Sequence, residues 1–498
     1  MRNRGLFSPL RWISAFFLIA ALILTAVQLA RYSRVRANFP AGLKIAGIPV
    51  GGLDRQQAAQ RLLKAYSVPV ELIYNNAAIQ IPPNVVDFQL DLESMLAAAD
   101  LQRTQQSFWV GFWDYLWGRS SSPVEVPLRS TYSEERLHAY LTNEIAERYD
   151  QPPLPASPVV GTVNFQPGAA GTALDVDSAV PMILSAMRSL EKRQIVLPLQ
   201  RTNPPRPAFQ NLKVLLKQTI DLEAFDGLAG IYLYDLQTAQ EIHLDYQQGN
   251  ELPTQPDIAF TASSIIKIPI MVSVYRRIGD NPDQETMKLL NDMITKSGNE
   301  AADWLMDRLM EQGRAPLTVT DDMKALGLQN TFLAGYFSFG SPLLARIQTP
   351  ANQRADVNTD PDPYSQTTPT DIGMLLGDIY QCAVSDGGTL QAVFPGEITQ
   401  AECQGMIDHL KNNFLPALLT AGVPEATQVA HKHGWVSDMN GVINTIGDAG
   451  IIYTPGGNYV LVIFLNHPQQ LVWEQASKLV ADLSRAVYNY YNLPGQGG

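Results

Sequence analysis

The strongest pattern in the chain is an uninterrupted apolar one. Trp12 to Ala30 is a 19-residue stretch without a charged side chain, long enough as a helix to cross a hydrocarbon core of about 30 Å. Arg2, Arg4 and Arg11 precede it and Arg31, Arg34 and Arg36 follow, so the charge bias that orients a spanning helix is small. The stretch exceeds the apolar core of a cleaved leader, and no clean small-x-small site follows. This predicts an uncleaved anchor over 12–31, a cytoplasmic tail over 1–11 and export of the remainder.

Shorter periods follow. Leu43 to Asp54 reads as strand and turn and leads into Arg55–Tyr66, whose apolar positions recur at helical spacing. A Leu-Asp pair ahead of a helical stretch recurs at Leu53-Asp54, Leu90-Asp91 and Leu174-Asp175, each Asp placed to cap the helix after it. Trp109, Trp113 and Trp117 stand at i, i+4 and i+8, which a helix would align on one face. Such a stripe predicts packed core, with a membrane interface as the competing reading. Residues 41–200 thus form a smaller α+β module, and the proline-rich segment 201–207 reads as a linker.

Beyond the linker, helical periodicity covers about Ala208 to Ile220 and Leu471 to Tyr490. Strand-like runs cover Leu228–Tyr234, Glu241–Tyr246 and Val460–Leu465. Strands at both ends with helices between predict an α+β domain over 208–498, its terminal helices covering one face of a mostly antiparallel sheet. The 498 residues are 46% hydrophobic, ample for such cores. A net charge of −12 excludes nucleic acid as the partner. The six histidines are scattered without structural-zinc spacing, and neither cofactor nor metal is expected. Cys382 and Cys403 are the only cysteines. In an oxidising compartment they can pair, the alternative being two buried thiols, and sequence does not supply their Cα separation.

The candidate chemistry begins at Phe260–Met271. Ser264 precedes Lys267 by three residues at the opening of an apolar helical run, which sets hydroxyl and amine on one helix face. A serine nucleophile needs such an acceptor within side-chain reach. The first turn of a helix favours developing negative charge. Apolar surroundings disfavour the Lys267 ammonium and improve it as a proton acceptor. Pro269 in the same run is expected to cost a helix bond and bend the helix. Downstream stand Ser297-Gly298-Asn299 and Lys432-His433-Gly434.

In order and gaps these three elements resemble the S-x-x-K, S-D-N and K-T-G set of class A β-lactamases and penicillin-binding proteins. The resemblance runs from about Pro207 to Asn492 and implies a β-lactamase/transpeptidase-like fold, with a helical subdomain before a late strand carrying the lysine. It assigns Ser264 as nucleophile, Lys267 as base and Ser297 as proton shuttle to the leaving nitrogen. Lys432 would hold the substrate carboxylate and Asn299 a substrate amide, while His433, Gly434 and Trp435 complete the substrate edge. The backbone amides of Ser264 and Trp435 would form the oxyanion hole. Gly298 replaces the family's Asp, and His433 its Thr or Ser, which alters carboxylate recognition and makes it pH-sensitive. On a regular strand Lys432 and His433 face opposite sides, so both reach one cleft only with local twist. A metal pair at His431 and His433 lacks a third ligand. Between Gln312 and Gly396 there is no glutamate to activate a deacylating water, and the nearest loop acids are Asp356, Asp360 and Asp362.

The pattern around Leu43–Asp54 and Phe165–Asp177 resembles the peptidoglycan-binding module of exported cell-wall proteins. Together these readings predict a single-pass, membrane-anchored, extracytoplasmic serine hydrolase acting on β-lactam or related amide substrates. The alternatives are a D,D-peptidase or acyltransferase acting on peptidoglycan stem peptides, and a catalytically silent wall-binding protein.

Overall fold

The computed structural model describes residues 9–119, 124–279, 282–413, 415–437 and 440–493, so most of the expected tail over 1–11 lies outside the described residues. The chain divides into two compact units, Met1–Pro152 with Ala170–Thr202, and Pro153–Ala169 with Asn203–Gly498. The distinctive run Phe165–Asp177 is therefore shared between the units. Phe165 lies in a core of the second, and Gly171–Leu174 is a strand of the first.

In the first unit, α1 (Pro9–Ala37) carries the apolar run, and over Trp12–Ala37 it is long and apolar enough to cross a membrane. All three capping aspartates are used. Asp54 accepts from Gln57 N at 2.8 Å, and the Gln57 side chain accepts from Asp54 N at 3.2 Å, closing a reciprocal cap on α2 (Arg55–Tyr66). Asp91 and Asp175 accept from Ser94 N and Ser178 N at the starts of α3 (Leu92–Thr104) and Val176–Met187. Each cap is worth about 1 kcal/mol. Strand β1 (Val70–Tyr74) pairs antiparallel with β2 (Ala77–Ile81) and parallel with Gln194–Val196. The core they cover includes Leu62, Leu72, Met95 and Ile183.

The tryptophan stripe is not core. Trp109 and Trp113 lie on α4 (Phe108–Leu116) and Trp117 caps its C-terminal end; Gly111 and Phe112 are buried, whereas all three tryptophans are exposed. The helical spacing holds, but the helix turns its other face inward. Periodicity sets which side chains share a face, not which face is covered.

The second unit is built on a six-stranded antiparallel sheet. Its strands in chain order are β3 (Leu228–Asp235), β4 (Glu241–Gln247), β5 (Asn250–Leu252), β6 (Gln428–Ser437), β7 (Ile443–Tyr453) and β8 (Tyr459–Asn466), in spatial order β5-β4-β3-β8-β7-β6. Along β8, Val460, Val462 and Phe464 point into one core while Tyr459, Leu461, Ile463 and Leu465 point into the other. Burial on both faces explains why this strand reads as a continuous apolar run. One face is covered by α5 (Phe209–Leu222) and the terminal helix Trp473–Tyr491. The other is covered by a helical layer that includes α6 (Lys267–Ile278), Asn299–Leu309, Pro369–Ser385 and Gln400–Lys411. This is the α+β, β-lactamase/transpeptidase-like arrangement.

Two local expectations change. Ser264 does not sit in the α-helix but in a 3-10 turn, Ser263–Ile266, that feeds into it. Because α6 begins only at Lys267, Pro269 falls in its first turn, where a missing N–H costs little. Of the proline-rich segment, Thr202 ends a strand paired with Gly171, and the rest is tied down in the second unit: Arg206 donates to Gly456 O and Pro207 O accepts from Tyr490 Oη.

Cys382 and Cys403 form a disulfide between two helices of the helical layer, both sulfurs within the core. Closing a loop of separation 21 constrains the unfolded chain by about 3 kcal/mol. The Cys382→Ser/Cys403→Ser variant is expected to lose about that much in denaturant unfolding. An unchanged midpoint would refute a stabilising role.

Candidate active site

The 3-10 turn explains the key contact. At three residues per turn, side chains at i and i+3 eclipse, which stacks Lys267 directly on Ser264. Lys267 Nζ donates to Ser264 Oγ at 2.9 Å, Ser297 O at 3.0 Å, Asn299 Oδ1 at 2.7 Å and, more weakly, Ser297 Oγ at 3.4 Å. Its side chain is fully buried, and the Phe337 ring lies 4.7 Å from Nζ. Burial, reinforced by the Lys432 charge and opposed by Asp303, pulls the ammonium down to about 7.

Ser297 links the two lysines to the nucleophile. Its Oγ donates to Ser264 Oγ at 2.7 Å and accepts from Lys432 Nζ at 3.1 Å. Ser297 holds a left-handed φ of 55°, and Gly298 N donates to Asp292 O at 3.0 Å, turning the chain so that Asn299 opens its helix facing Lys267. Lys432, also fully buried, is pulled down to about 8, mainly by burial and against the opposing charge of Asp448.

Gly434 sets how closely β6 approaches the nucleophile. A Cβ at this position would meet Ser264 N at 2.7 Å, Ser263 Cβ at 2.9 Å and Ile265 N at 3.1 Å. Ser263 itself has a φ of 50°, a backbone conformation that costs about 1–3 kcal/mol, and among the described residues its buried hydroxyl has no hydrogen-bond partner. The close passage of strand and strained turn frames a cleft of about 350 Å³, lined in part by Ser264, Asn299, Phe337, Ser338, Asp362 and Trp435.

His433 is not brought to Ser264. Along β6, Lys432 and Gly434 face the nucleophile while His431, His433 and Trp435 form a ring stack on the opposite side. Ring centroids are 5.8 Å apart from His431 to His433 and 5.4 Å from His433 to Trp435, and Trp435 meets Trp473 at 4.7 Å. The strand keeps its regular alternation here, its only register shift coming later, at Val436/Ser437. Burial, then the charge of Lys432, pushes the His433 imidazole down to about 4. It is neutral throughout the neutral range and supplies no pH switch there, contrary to the sequence expectation. His431 is held by Asp448 at 2.9 Å and faces Asn413 O at 3.0 Å. Burial raises the Asp448 carboxyl, but the His431 charge and hydrogen bond outweigh it and hold the group below the usual range.

The loop opposite Lys267 differs from the one expected. Asp356 pairs with Arg354 at 2.7 Å and Asp360 is exposed. Asp362 does line the cleft, its carboxyl raised by burial and occupied by Tyr364 N at 2.9 Å. The segment facing the lysine is instead Phe337–Ser338. It is clamped by the buried Asp303, which accepts from Phe337 N and Ser338 N at 2.9 Å each and from Ser338 Oγ at 2.6 Å. Sequence reasoning passed over all three residues. Asp303 alone had a signal, standing one helical turn beyond Asn299.

Residues 279–491 match the family model described as "Beta-lactamase enzyme family", and residues 79–196 the model described as "Putative peptidoglycan binding domain". A curated beta-lactamase from Bacillus licheniformis is 22% identical over 309 residues, covering 59% of this chain and 90% of that protein. Among solved structures, PBP-A is 21% identical, covering 58% of this chain and 98% of its own, with a TM-score of 0.40. A beta-lactamase from Sphaerobacter thermophilus is 17% identical over 58% of this chain and 100% of its own, with a TM-score of 0.41. The first family match begins after Ser264 and Lys267 but includes Ser297, Asn299 and Lys432. Residues 279–491 are thus similar to the beta-lactamase enzyme family, and the segment that matches a peptidoglycan-binding domain model precedes them.

Proposed function

We propose that this chain is a membrane-anchored, extracytoplasmic serine hydrolase that forms an acyl-enzyme through Ser264 on β-lactam or related amide substrates. The observation that carries this reading is the placement of Ser264 Oγ 2.9 Å from Lys267 Nζ and 2.7 Å from Ser297 Oγ. A neutral Lys267 amine has two N–H donors and one lone pair. Ser297 O and Asn299 Oδ1 accept only, so they take the donors and leave the lone pair for the Ser264 proton. Ser264 attacks the amide carbonyl, whose oxyanion is received by the backbone amides of Ser264 and Trp435. Ser297 passes a proton to the leaving nitrogen, Lys432 attracts the substrate carboxylate, and Asn299 positions an amide. Gly434 admits the substrate edge, and His433 contributes by supporting the Trp435 ring. The apolar helix α1 is the support for anchoring.

Phe337 favours a second reading, that of a penicillin-binding D,D-peptidase or acyltransferase acting on peptidoglycan stem peptides. A ring, not a carboxylate, faces Lys267, and the Asp303 carboxylate is occupied by the loop it clamps. Among the described residues none offers a carboxylate hydrogen-bonded to Ser264 or Lys267, and the acyl-enzyme is expected to be long-lived.

Intact-mass measurement after incubation with a penicillin tests both readings. One persistent adduct per chain supports the second, transient adduct with steady hydrolysis of a chromogenic cephalosporin supports the first, and no adduct on folded protein defeats both. The pH profile of acylation follows from the two lysines. Lys267 must be neutral, so the rate rises as pH passes about 7. Lys432 must be charged, so the rate falls as pH passes about 8. A profile flat from pH 6 to 9 would be incompatible with these roles.

A further inference from the structure

The tryptophan stripe of α4 takes no part in the chemistry and is held at one end of α1. Tyr32, buried near the end of α1, packs its ring against Phe108, Phe112 and Tyr115, with centroids 5.3, 5.6 and 5.4 Å away. Gly111 permits the approach, since a Cβ there would lie 2.1 Å from Tyr32 Oη. Arg36 places its guanidinium 5.1 Å from the centre of the Phe108 ring and donates to Gln106 O at 3.0 Å. Arg103 donates to the Arg36 and Ala37 carbonyls, closing the C-terminal end of α1, where a cation complements the helix dipole.

These contacts fix a level. The uncharged run from Trp12 to Ala30 has 19 residues, spanning about 28 Å at 1.5 Å each, nearly the hydrocarbon thickness. Tyr32 and Arg36 lie just beyond its end and carry α4 with them. The side of α4 that avoids Tyr32 is bare: Trp109 is 63%, Val110 53% and Trp113 57% exposed, and Trp117 follows at 73%. Arg31 and Arg34 on the adjoining turns of α1 are exposed as well. Tryptophan at headgroup depth, flanked by arginine, matches the side-chain chemistry of a bilayer interface. It is poorly suited to water, which gains nothing from a contiguous apolar face.

We propose that α4 is an interfacial helix whose Trp109–Trp113–Trp117 face sinks into the headgroup boundary of the bilayer that α1 enters. This rests on the anchor reading and adds to it a second point of attachment, so that the first unit is oriented on the lipid surface as well as tethered to it. The test uses the full chain in a Trp12→Phe background, reconstituted in phosphatidylcholine/phosphatidylglycerol vesicles containing a lipid brominated near the glycerol end of its acyl chains. The shallow bromine is expected to quench tryptophan emission, and the Trp109→Ser/Trp113→Ser/Trp117→Ser variant to lose that quenching. If the triple variant does not fold, Trp113→Ser alone is expected to lose part of it. Quenching that is the same with and without these tryptophans overturns the proposal. So does blue-shifted emission indifferent to bromolipid, which would indicate a second copy or a protein partner on this face. An alkaline carbonate wash reports the anchor separately: release of the chain overturns the anchor reading, whereas retention without quenching overturns only the interfacial helix.

Discussion

Lys267→Met is expected to slow acylation of Ser264 by about a thousandfold, within the 10²–10⁴ range that a positioned proton acceptor supplies, while the chain stays folded. Methionine fills the same apolar channel, so the loss falls on proton transfer more than on packing. The exchange does strand the acceptors Ser297 O and Asn299 Oδ1, which Lys267 now satisfies, at about 1–3 kcal/mol for each buried group. Time-resolved intact-mass spectra with a penicillin, alongside a melting curve, separate the two effects. A variant acylated within a few-fold of the parent rate would show that Lys267 is not the acceptor. Its pH profile provides an internal control. The rise through about 7, assigned to Lys267, should vanish, while the fall through about 8, assigned to Lys432, should remain in whatever activity survives.

The second large effect is expected at Gly434→Ala, which adds one methyl group and no charge. That methyl carbon would sit 2.7 Å from Ser264 N and 3.1 Å from Ile265 N. Both obstacles are backbone, and neither can rotate away. The strand must withdraw from the turn, carrying the Trp435 amide off the position assigned to the oxyanion. Loss of one such donor costs about 10²–10³ in rate. Binding should change less, because Lys432 and Asn299 keep their side chains. The check is the maximal acylation rate at saturating penicillin against the concentration giving half that rate. A normal maximal rate in Gly434→Ala would exclude the oxyanion assignment, whatever happened to affinity.

The site shows which of its parts were local. Ser264 and Lys267 meet because three residues of separation determine their contact in either an α-helix or a 3-10 turn. Ser297 meets Ser264 across 33 residues of sequence and Lys432 meets Ser297 across 135, and both meetings were expected only through resemblance to a family. His433 marks the limit of such transfer. Motif position put it beside the substrate, and the alternation of β6 turns its ring to the far side of the strand. Phe337 and Ser338 carried no chemical signature at all. They face the lysine because Asp303, on another helix, holds their backbone.

By itself the sequence determined what depends on neighbours along the chain: the apolar span of α1, the three aspartate caps, the doubly buried strand β8 and the stacking of Ser264 on Lys267. Each follows from a period or a hydrogen bond reaching only a few residues. Tertiary structure alone decided which face of α4 is bare, that Cys382 meets Cys403, and how far β6 approaches the nucleophile. It also decided how far the pKa values of Lys267 and Lys432 fall. Burial is contributed by residues distant in the chain, and burial is what sets the cost of a charge, the room for a methyl group and the fate of an exposed ring.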